Sequence, residues 1–288
     1  MVLIHCLIIK QGEKSMKTLG LFGEKLGHSL SPEIHEMIFK ELKMKGTYSL
    51  FSIDKDNFHK SIDSIKTLGI NGVNVTIPYK IDVMKYIDEI SDDARKIGAV
   101  NTVKVEKHRT IGFNTDYYGF GDMLYKGDVI VNGNEFYILG AGGAAKGIVQ
   151  YLNDHGAREI VLVARDKVKA IEAFGDSRTK VITYDNLKNV TEKYCIINTT
   201  PVGMYPKTRE CPIDTSVLKE FKIAMDIVYN PVETLFLKEA KKLGLVTVDG
   251  IYMLVGQAIK AQEIWNDIVI EKSLLDKIYI HVKNILEK

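Results

Sequence analysis

Cysteine is scarce and scattered. Cys6, Cys195 and Cys211 are the only three in the chain, and they contain no C-x-x-C pair. That excludes a zinc framework and a disulfide-stapled fold, and it fits a reducing compartment, so the cytoplasm is expected. No apolar run approaches the roughly 20 residues needed to span a bilayer. The opening MVLIHCLIIK is apolar, but it has no basic segment before it and no small-residue cleavage site after it, so it is a poor signal peptide. It precedes a second methionine, Met16, and residues 1–15 read equally as an added strand, a loose arm or a misassigned start. Neither sign of charge prevails: 39 Lys and Arg against 37 Asp and Glu give a formal charge of +2. That is too even for binding to nucleic acid or anionic lipid to be driven by charge. The seven histidines form no H-E-x-x-H, and His28 and His35 are separated by a break before a helix, so no metal is expected. A G-x-S-x-G elbow is also missing, which argues against a serine hydrolase. Internal repeats, low-complexity tracts and long heptad runs are absent.

What is present is a chain of 288 residues, 45% hydrophobic and 26% charged, enough for one large domain or two ordinary ones with filled cores. From Thr18 to about Gly112, β-rich runs (TLGLF, TYSLF, GVNVTI, AVNTV) alternate with helical segments expected at 32–45 and 56–67, an α/β pattern. Ser31 and Pro32 read as the N-cap and first residue of the first of these helices, with Gly46 as its stop. From Glu135, EFYILG passes through AGGAAKGIVQYLNDHG into REIVLVAR, a strand, glycine turn, helix and strand that make one βαβ unit. Further strands at KVITY, CIINTT, IAMDIVY and GLVTV, with a helix over 234–243, predict a doubly wound sheet. The polar stretch 126–134 reads as a linker, and two helices close the chain at about 252–265 and 273–287. Trp265 and the apolar residues before it read as helix core.

The candidate chemistry begins at Gly140-Ala141-Gly142-Gly143-Ala144-Ala145. Its first glycines suit a tight turn and close approach to a pyrophosphate, which would face the N-terminus of the following helix. A plain βα turn is the other reading; a phosphate-loop NTPase is disfavoured because Lys146 is followed by Gly147. At the end of the next strand, VLVARDK offers Arg165, with Lys167 and Lys169 behind it, to a 2′-phosphate. This favours NADP, while Asp166 keeps NAD open and a solvated surface arginine is the third possibility. Lys80, at the exit of GVNVTI, and Asp116, after TIGFNT, form a candidate acid/base pair, although either residue type is more often a plain surface charge. Ser29, Ser31, Asn74, Thr76, Asn101 and Thr102 lie near predicted strand ends, where they suit a small polyhydroxy carboxylate or serve as caps and turns.

Eight segments then fall in register: GHSLSP (27–32), NVTIPYK (74–80), GAVNT (98–102), NTD (114–116), GAGGAA (140–145), NTTPVGM (198–204), DIVYNPVETLFL (226–237) and GIYMLVGQA (250–258). In order and spacing the chain resembles the shikimate dehydrogenase family from Thr18 onward. The resemblance implies two α/β domains facing a cleft: a substrate-binding and catalytic domain (16–116), a Rossmann-type NADP-binding domain (117–249), and C-terminal helices (250–288) returning to the first. It implies reversible reduction of 3-dehydroshikimate to shikimate with NADPH, a step toward chorismate and the aromatic amino acids, by a monomer or homodimer. Lys80 would be the catalytic lysine paired with Asp116. Ser29 and Ser31 would bind the substrate carboxylate with Tyr229 nearby, and Asn74, Thr76, Asn101 and Gln257 would line the ring hydroxyls. Gly140, Ala141, Gly142, Gly143 and Ala144 would carry the pyrophosphate, Ala164 and Arg165 the adenosine end, and Thr199, Gly203, Met204 and Gly250 the nicotinamide side. Three features depart from the family pattern: Ala164-Arg165-Asp166 replaces Asn-Arg-Thr/Ser, Tyr117 replaces a glycine, and residues 1–15 precede the usual start. A quinate/shikimate dehydrogenase using NAD or NADP is the competing enzyme, and a nucleotide-sensing protein without turnover the competing non-enzyme.

Overall fold

Two six-stranded sheets with helices packed against them make up the protein, of which a computed structural model describes residues 16–27, 29–174 and 179–288. The expectations for residues 1–15 and for His28 lie outside the described residues. The first sheet contains β1 (Lys17–Gly23), β2 (Gly46–Ser52), β3 (Gly72–Val75), β4 (Glu89–Ile90), β5 (Thr102–Glu106) and β6 (Arg109–Phe113), in the order β2-β1-β3-β5-β6-β4. It is mixed, because β5 runs antiparallel to both β3 and β6 while the remaining pairs are parallel. Its helices are α1 (Ser31–Glu41), α2 (Ser61–Thr67) and α3 (Asp92–Ile97), and α4 (Asp116–Lys126) leads out of it. The two-residue β4 and the six-residue α3 are too short to show a period, so the sequence pattern does not reveal them.

Both ends of α1 differ from expectation. Leu30 is the N-cap, Ser31 is the first helical residue, and the Ser29 hydroxyl accepts the Ser31 amide at 3.3 Å. The helix ends at Glu41, the chain reverses through Lys43 in the left-handed region (φ 52°), and Gly46 opens β2. Gly46 is required by packing, since a Cβ there would lie 2.5 Å from the Phe39 ring. The helix expected over 56–67 is divided into a 3₁₀ segment, Lys55–Lys60, and α2.

The second sheet contains β7 (Glu135–Leu139), β8 (Glu159–Val163), β9 (Thr179–Ile182), β10 (Lys193–Asn198), β11 (Phe221–Asp226) and β12 (Val246–Val248). Every pair is parallel and the order is β12-β11-β10-β7-β8-β9. Helices α5 (Gly143–Asp154), α6 (Lys167–Phe174), α7 (Tyr184–Leu187) and α8 (Leu235–Lys242) make four of the crossovers, and the one from β10 to β11 passes through a 3₁₀ segment, Thr215–Glu220. EFYIL and EIVLV are buried at every position after the leading glutamate, as strands covered on both faces must be. Renumbered from β7, the order is the doubly wound one, with its topological switch between β7 and β10.

The last helices, α9 (Ile251–Asn266) and α10 (Lys272–Leu286), follow the second sheet, yet α9 lies on the first. Trp265 is buried, donates its indole N–H to Val103 O at 3.0 Å and packs onto Gly72, where a Cβ would collide with the indole. Helix α9 also crosses α4 closely at Gly119, whose added Cβ would meet Met253 O at 2.5 Å. Among the described residues no helix is long and apolar enough to cross a membrane.

Candidate active site

In a doubly wound sheet, ligands lie off the carboxyl ends of the strands at the switch point. The nucleotide-binding candidates occupy such ends: Gly140–Gly142 follow β7 and Gly143 and Ala144 open α5, Ala164 and Arg165 follow β8, Thr199 to Met204 follow β10, and Gly250 follows β12, while Tyr229, expected near the substrate carboxylate, follows β11. Gly140 takes φ 99°, and a Cβ there would lie 2.8 Å from Thr200 Cγ2, so only glycine makes the turn beside the β10 loop. A Cβ at Gly142 meets nothing within 4 Å, and Gly142 is the N-cap of α5. The turn thus offers bare backbone N–H groups and a helix N-terminus on an open side, which fits a pyrophosphate. Ala145 is fully buried where the helix meets the sheet. The Thr199 hydroxyl and amide both donate to Leu139 O, at 2.7 and 3.0 Å, which fixes Thr199 beside the glycine turn.

On the first sheet, the loop after β3 is pinned before it reaches Lys80. Tyr79 is buried, stacks on Phe58 at 3.9 Å, and donates its hydroxyl to Ile53 O. The Lys80 carbonyl accepts the Val100 amide at 2.8 Å. From this fixed backbone the Lys80 ammonium donates to Asp116 Oδ2 at 2.6 Å, with the two side chains only 15% and 9% exposed. Asp116 is the first residue of α4, where the helix dipole favours a carboxylate. Its second oxygen accepts the Asn101 amide at 2.9 Å.

Asn101 extends the network. It also donates to Thr115 Oγ1 (3.0 Å) and accepts the Thr115 amide (2.7 Å). Thr102 Oγ1 accepts Asn74 Nδ2 at 2.9 Å, and the Asn74 carbonyl accepts the Tyr48 hydroxyl at 2.7 Å. The Ser31 side chain lies beside the same phenol, and Ser29 donates to Ser31 at 3.1 Å. The α4–α9 crossing brings Gln257 Oε1 to 3.5 Å from Thr115 Oγ1. Lys80, Asp116, Asn101, Asn74, Ser29, Ser31 and Gln257 therefore occupy one continuous polar surface. Among the described residues no side-chain hydrogen bond joins Thr76 or Tyr229 to it. Arg165 stands apart at the β8 exit, exposed beside Tyr184.

The two sheets meet at Lys80. An added Cβ on Gly143 would lie 3.6 Å from Lys80 Cδ, and one on Gly147 would lie 3.8 Å from Asp116 Cβ. The acid/base pair thus packs against the helix that the glycine turn begins.

Sequence reasoning missed Tyr48, Thr115 and His35. His35 is fully buried, stacks on Tyr48 at 4.0 Å, and faces the Gln262 amide nitrogen through Nδ1 at 2.9 Å. The partners are 13 and 227 residues away in the chain, so no local motif signals them. Burial pushes the imidazole down to about 3, only partly opposed by Asn74. Because the folded value lies below the unfolded one, the neutral ring's contribution is complete above the unfolded value and is lost as pH falls toward the folded one. Between about pH 7 and about pH 5.5 the wild type is expected to lose about 1 kcal/mol more unfolding free energy than His35→Phe. Urea melts of both proteins at the two pH values check this; equal losses would refute a neutral buried His35.

Comparison with known proteins places this arrangement. Residues 21–103 match the family model described as the shikimate dehydrogenase substrate binding domain. A shikimate dehydrogenase (NADP(+)) of Clostridium perfringens strain 13 is 53% identical over 268 residues, covering 93% of this chain and 99% of that protein. A chorismate mutase/shikimate 5-dehydrogenase fusion protein of Clostridium acetobutylicum superposes with a TM-score of 0.91 at 48% identity, covering 95% of this chain and 100% of that one. Quinate dehydrogenase from Corynebacterium glutamicum, in complex with NAD, is similar at 28% identity and a TM-score of 0.82, covering 93% of this chain and 100% of that one. With its motifs in register and its fold shared over nearly the whole length, the chain belongs to the shikimate dehydrogenase family.

Proposed function

We propose that this protein interconverts 3-dehydroshikimate and shikimate with NADP(H), in the cytoplasm and as a monomer or homodimer. The observation that carries the reading is the Lys80–Asp116 pair packed against Gly143 of the glycine turn. When bound, NADPH supplies the hydride; the protein supplies binding, orientation and the proton. Lys80 gives the proton to the substrate oxygen in the direction of reduction and takes it back in the reverse, and Asp116 orients the ammonium and contacts the same hydroxyl. Asn101 holds Asp116, and with Asn74, Thr76 and Gln257 it lines the ring hydroxyls. Ser29, Ser31 and Tyr229 hold the substrate carboxylate. Gly140, Ala141, Gly142, Gly143 and Ala144 cradle the pyrophosphate, Ala164 and Arg165 take the adenosine end, and Thr199, Gly203, Met204 and Gly250 flank the nicotinamide.

A second reading, a quinate/shikimate dehydrogenase that accepts NAD, is favoured by the likeness to the NAD-bound quinate dehydrogenase. The higher identity to the NADP(+)-named relative and the engagement of Asp166 with the first turn of α6 favour the first. Initial rates of the purified protein with shikimate and with quinate, each against NADP and NAD, separate the two. Strong preference for shikimate with NADP is expected. Comparable rates with quinate or NAD would select the second reading, and no turnover by folded protein with any pair would refute both.

A further inference from the structure

The mechanism makes no use of Asp226, the last residue of β11, although it is fully buried and has no cation within ion-pair distance among the described residues. Its Oδ1 accepts Asn198 Nδ2 and the Val228 amide, each at 3.0 Å, and its Oδ2 accepts the Thr234 hydroxyl at 2.7 Å. Burial pushes the carboxyl up to about 7, with the three donors only partly opposing it. A buried carboxylate without a cation is costly, and here three converging donors from separate segments hold it in place.

Each donor leads into a segment assigned to a ligand. Asn198 ends β10 and shapes the loop beyond it: its Oδ1 accepts the Thr200 amide (3.0 Å) and hydroxyl (2.7 Å), and its Nδ2 reaches Val202 O at 3.3 Å. That loop carries Thr199, Gly203 and Met204. Val228 immediately precedes Tyr229. Thr234 caps α8 by accepting the Leu237 amide at 3.3 Å, and an added Cβ on Gly203 would lie 3.7 Å from Thr234 Cβ. Two backbone bonds tie the same two loops together, Ile227 N to Asn198 O (3.1 Å) and Tyr205 N to Asn230 O (2.9 Å). Gly250 packs onto the Ile227 carbonyl so closely that a Cβ would collide with it.

We infer that Asp226 is a positioning residue that locks the nicotinamide-side loop after β10 and the Tyr229 turn after β11 into one unit, so that cofactor and substrate are aligned by a single buried carboxylate. The inference rests on the assignment of Thr199, Gly203, Met204 and Tyr229 to the ligands made above. A satisfied polar network fixes one loop geometry where apolar packing would permit several, and hydride transfer is sensitive to misplacement of the partners by about 1 Å.

The test uses the full chain. Thr234→Val removes one donor at nearly constant volume, Thr234→Ser keeps the hydroxyl, and Asp226→Asn replaces the acceptor that faces it. Thr234→Val and Asp226→Asn are expected to raise KM for both NADP and shikimate by about ten-fold and to lower kcat, and Thr234→Ser is expected to restore all three, with rates read well below each variant's Tm. A lowered Tm with unchanged KM values and kcat would make the network merely structural and overturn the inference, as would a change confined to one ligand. If Asp226→Asn does not fold, the contrast between Thr234→Val and Thr234→Ser decides. Tyr229→Phe serves as the control: if it leaves the shikimate KM unchanged, the ligand assignment fails, while a joint shift in Thr234→Val still supports the brace.

Discussion

Lys80→Ala is expected to lower kcat by about 10²- to 10⁴-fold, the usual worth of a positioned general acid/base, with a much smaller change in KM. Lys80 is held by the backbone bond at its carbonyl and by Asp116 at 2.6 Å, so its ammonium is placed before substrate arrives. Removing it leaves Asp116 without its cation, and a lone buried carboxylate destabilises a fold. Here the Asn101 amide and the start of α4 still compensate the charge, so the variant is expected to fold with a modestly lowered Tm. Lys80→Arg sharpens the experiment. A guanidinium keeps the charge and the attraction to Asp116 but does not give up its proton. Arginine should therefore restore much of the Tm while leaving kcat depressed. Initial rates with both substrates varied, beside thermal melts, give the answer. A fall confined to KM, or full rescue by arginine, would make Lys80 a binding group.

How much of this was legible in the sequence depends on how local each feature is. The β7–α5–β8 unit was readable because strand, glycine turn and helix follow within about thirty residues and each carries its own period. Lys80 and Asp116 were nameable because both stand at strand exits, although 36 residues separate them. The ends of α1 were misplaced because tertiary contacts decide them. Lys43 reverses the chain without a glycine, and Gly46 answers to the Phe39 ring. The layer behind Asn74 was invisible, since Tyr48 and His35 belong to a strand and a helix whose patterns are explained by burial alone. Gln257 and Tyr229 came from family resemblance, and only the α4–α9 crossing gives Gln257 a physical reason to approach Thr115. Asp226 looked like any strand-ending aspartate, because its donors arrive from β10, its own turn and α8.

Arg165→Ala is expected to raise KM for NADP by about 10- to 100-fold, the range for losing a charge-assisted hydrogen bond, while rates with NAD stay nearly constant. Ala164 is buried, so Arg165 is the first residue to emerge from β8. It stands exposed at the β8 exit, where the proposed reading puts the adenosine ribose of a bound dinucleotide. The competing carboxylate is already engaged: Asp166 Oδ1 accepts the Lys169 amide at 3.1 Å, and Oδ2 stands 3.5 Å from the Lys169 ammonium. The Lys169 backbone amide holds that carboxyl below its ordinary value. To serve an NAD ribose, Asp166 would have to abandon the N-terminus of α6, which would lose its cap. Asp166→Ala should therefore loosen α6 without improving NADP over NAD, whereas a carboxylate acting on the ribose would make the same change harm NAD alone. KM for each cofactor in the two variants, at saturating shikimate, separates these outcomes. Equal losses with NADP and NAD in Arg165→Ala would mean that the arginine senses no 2′-phosphate, and the cofactor preference would then have to come from Lys167 or Lys169.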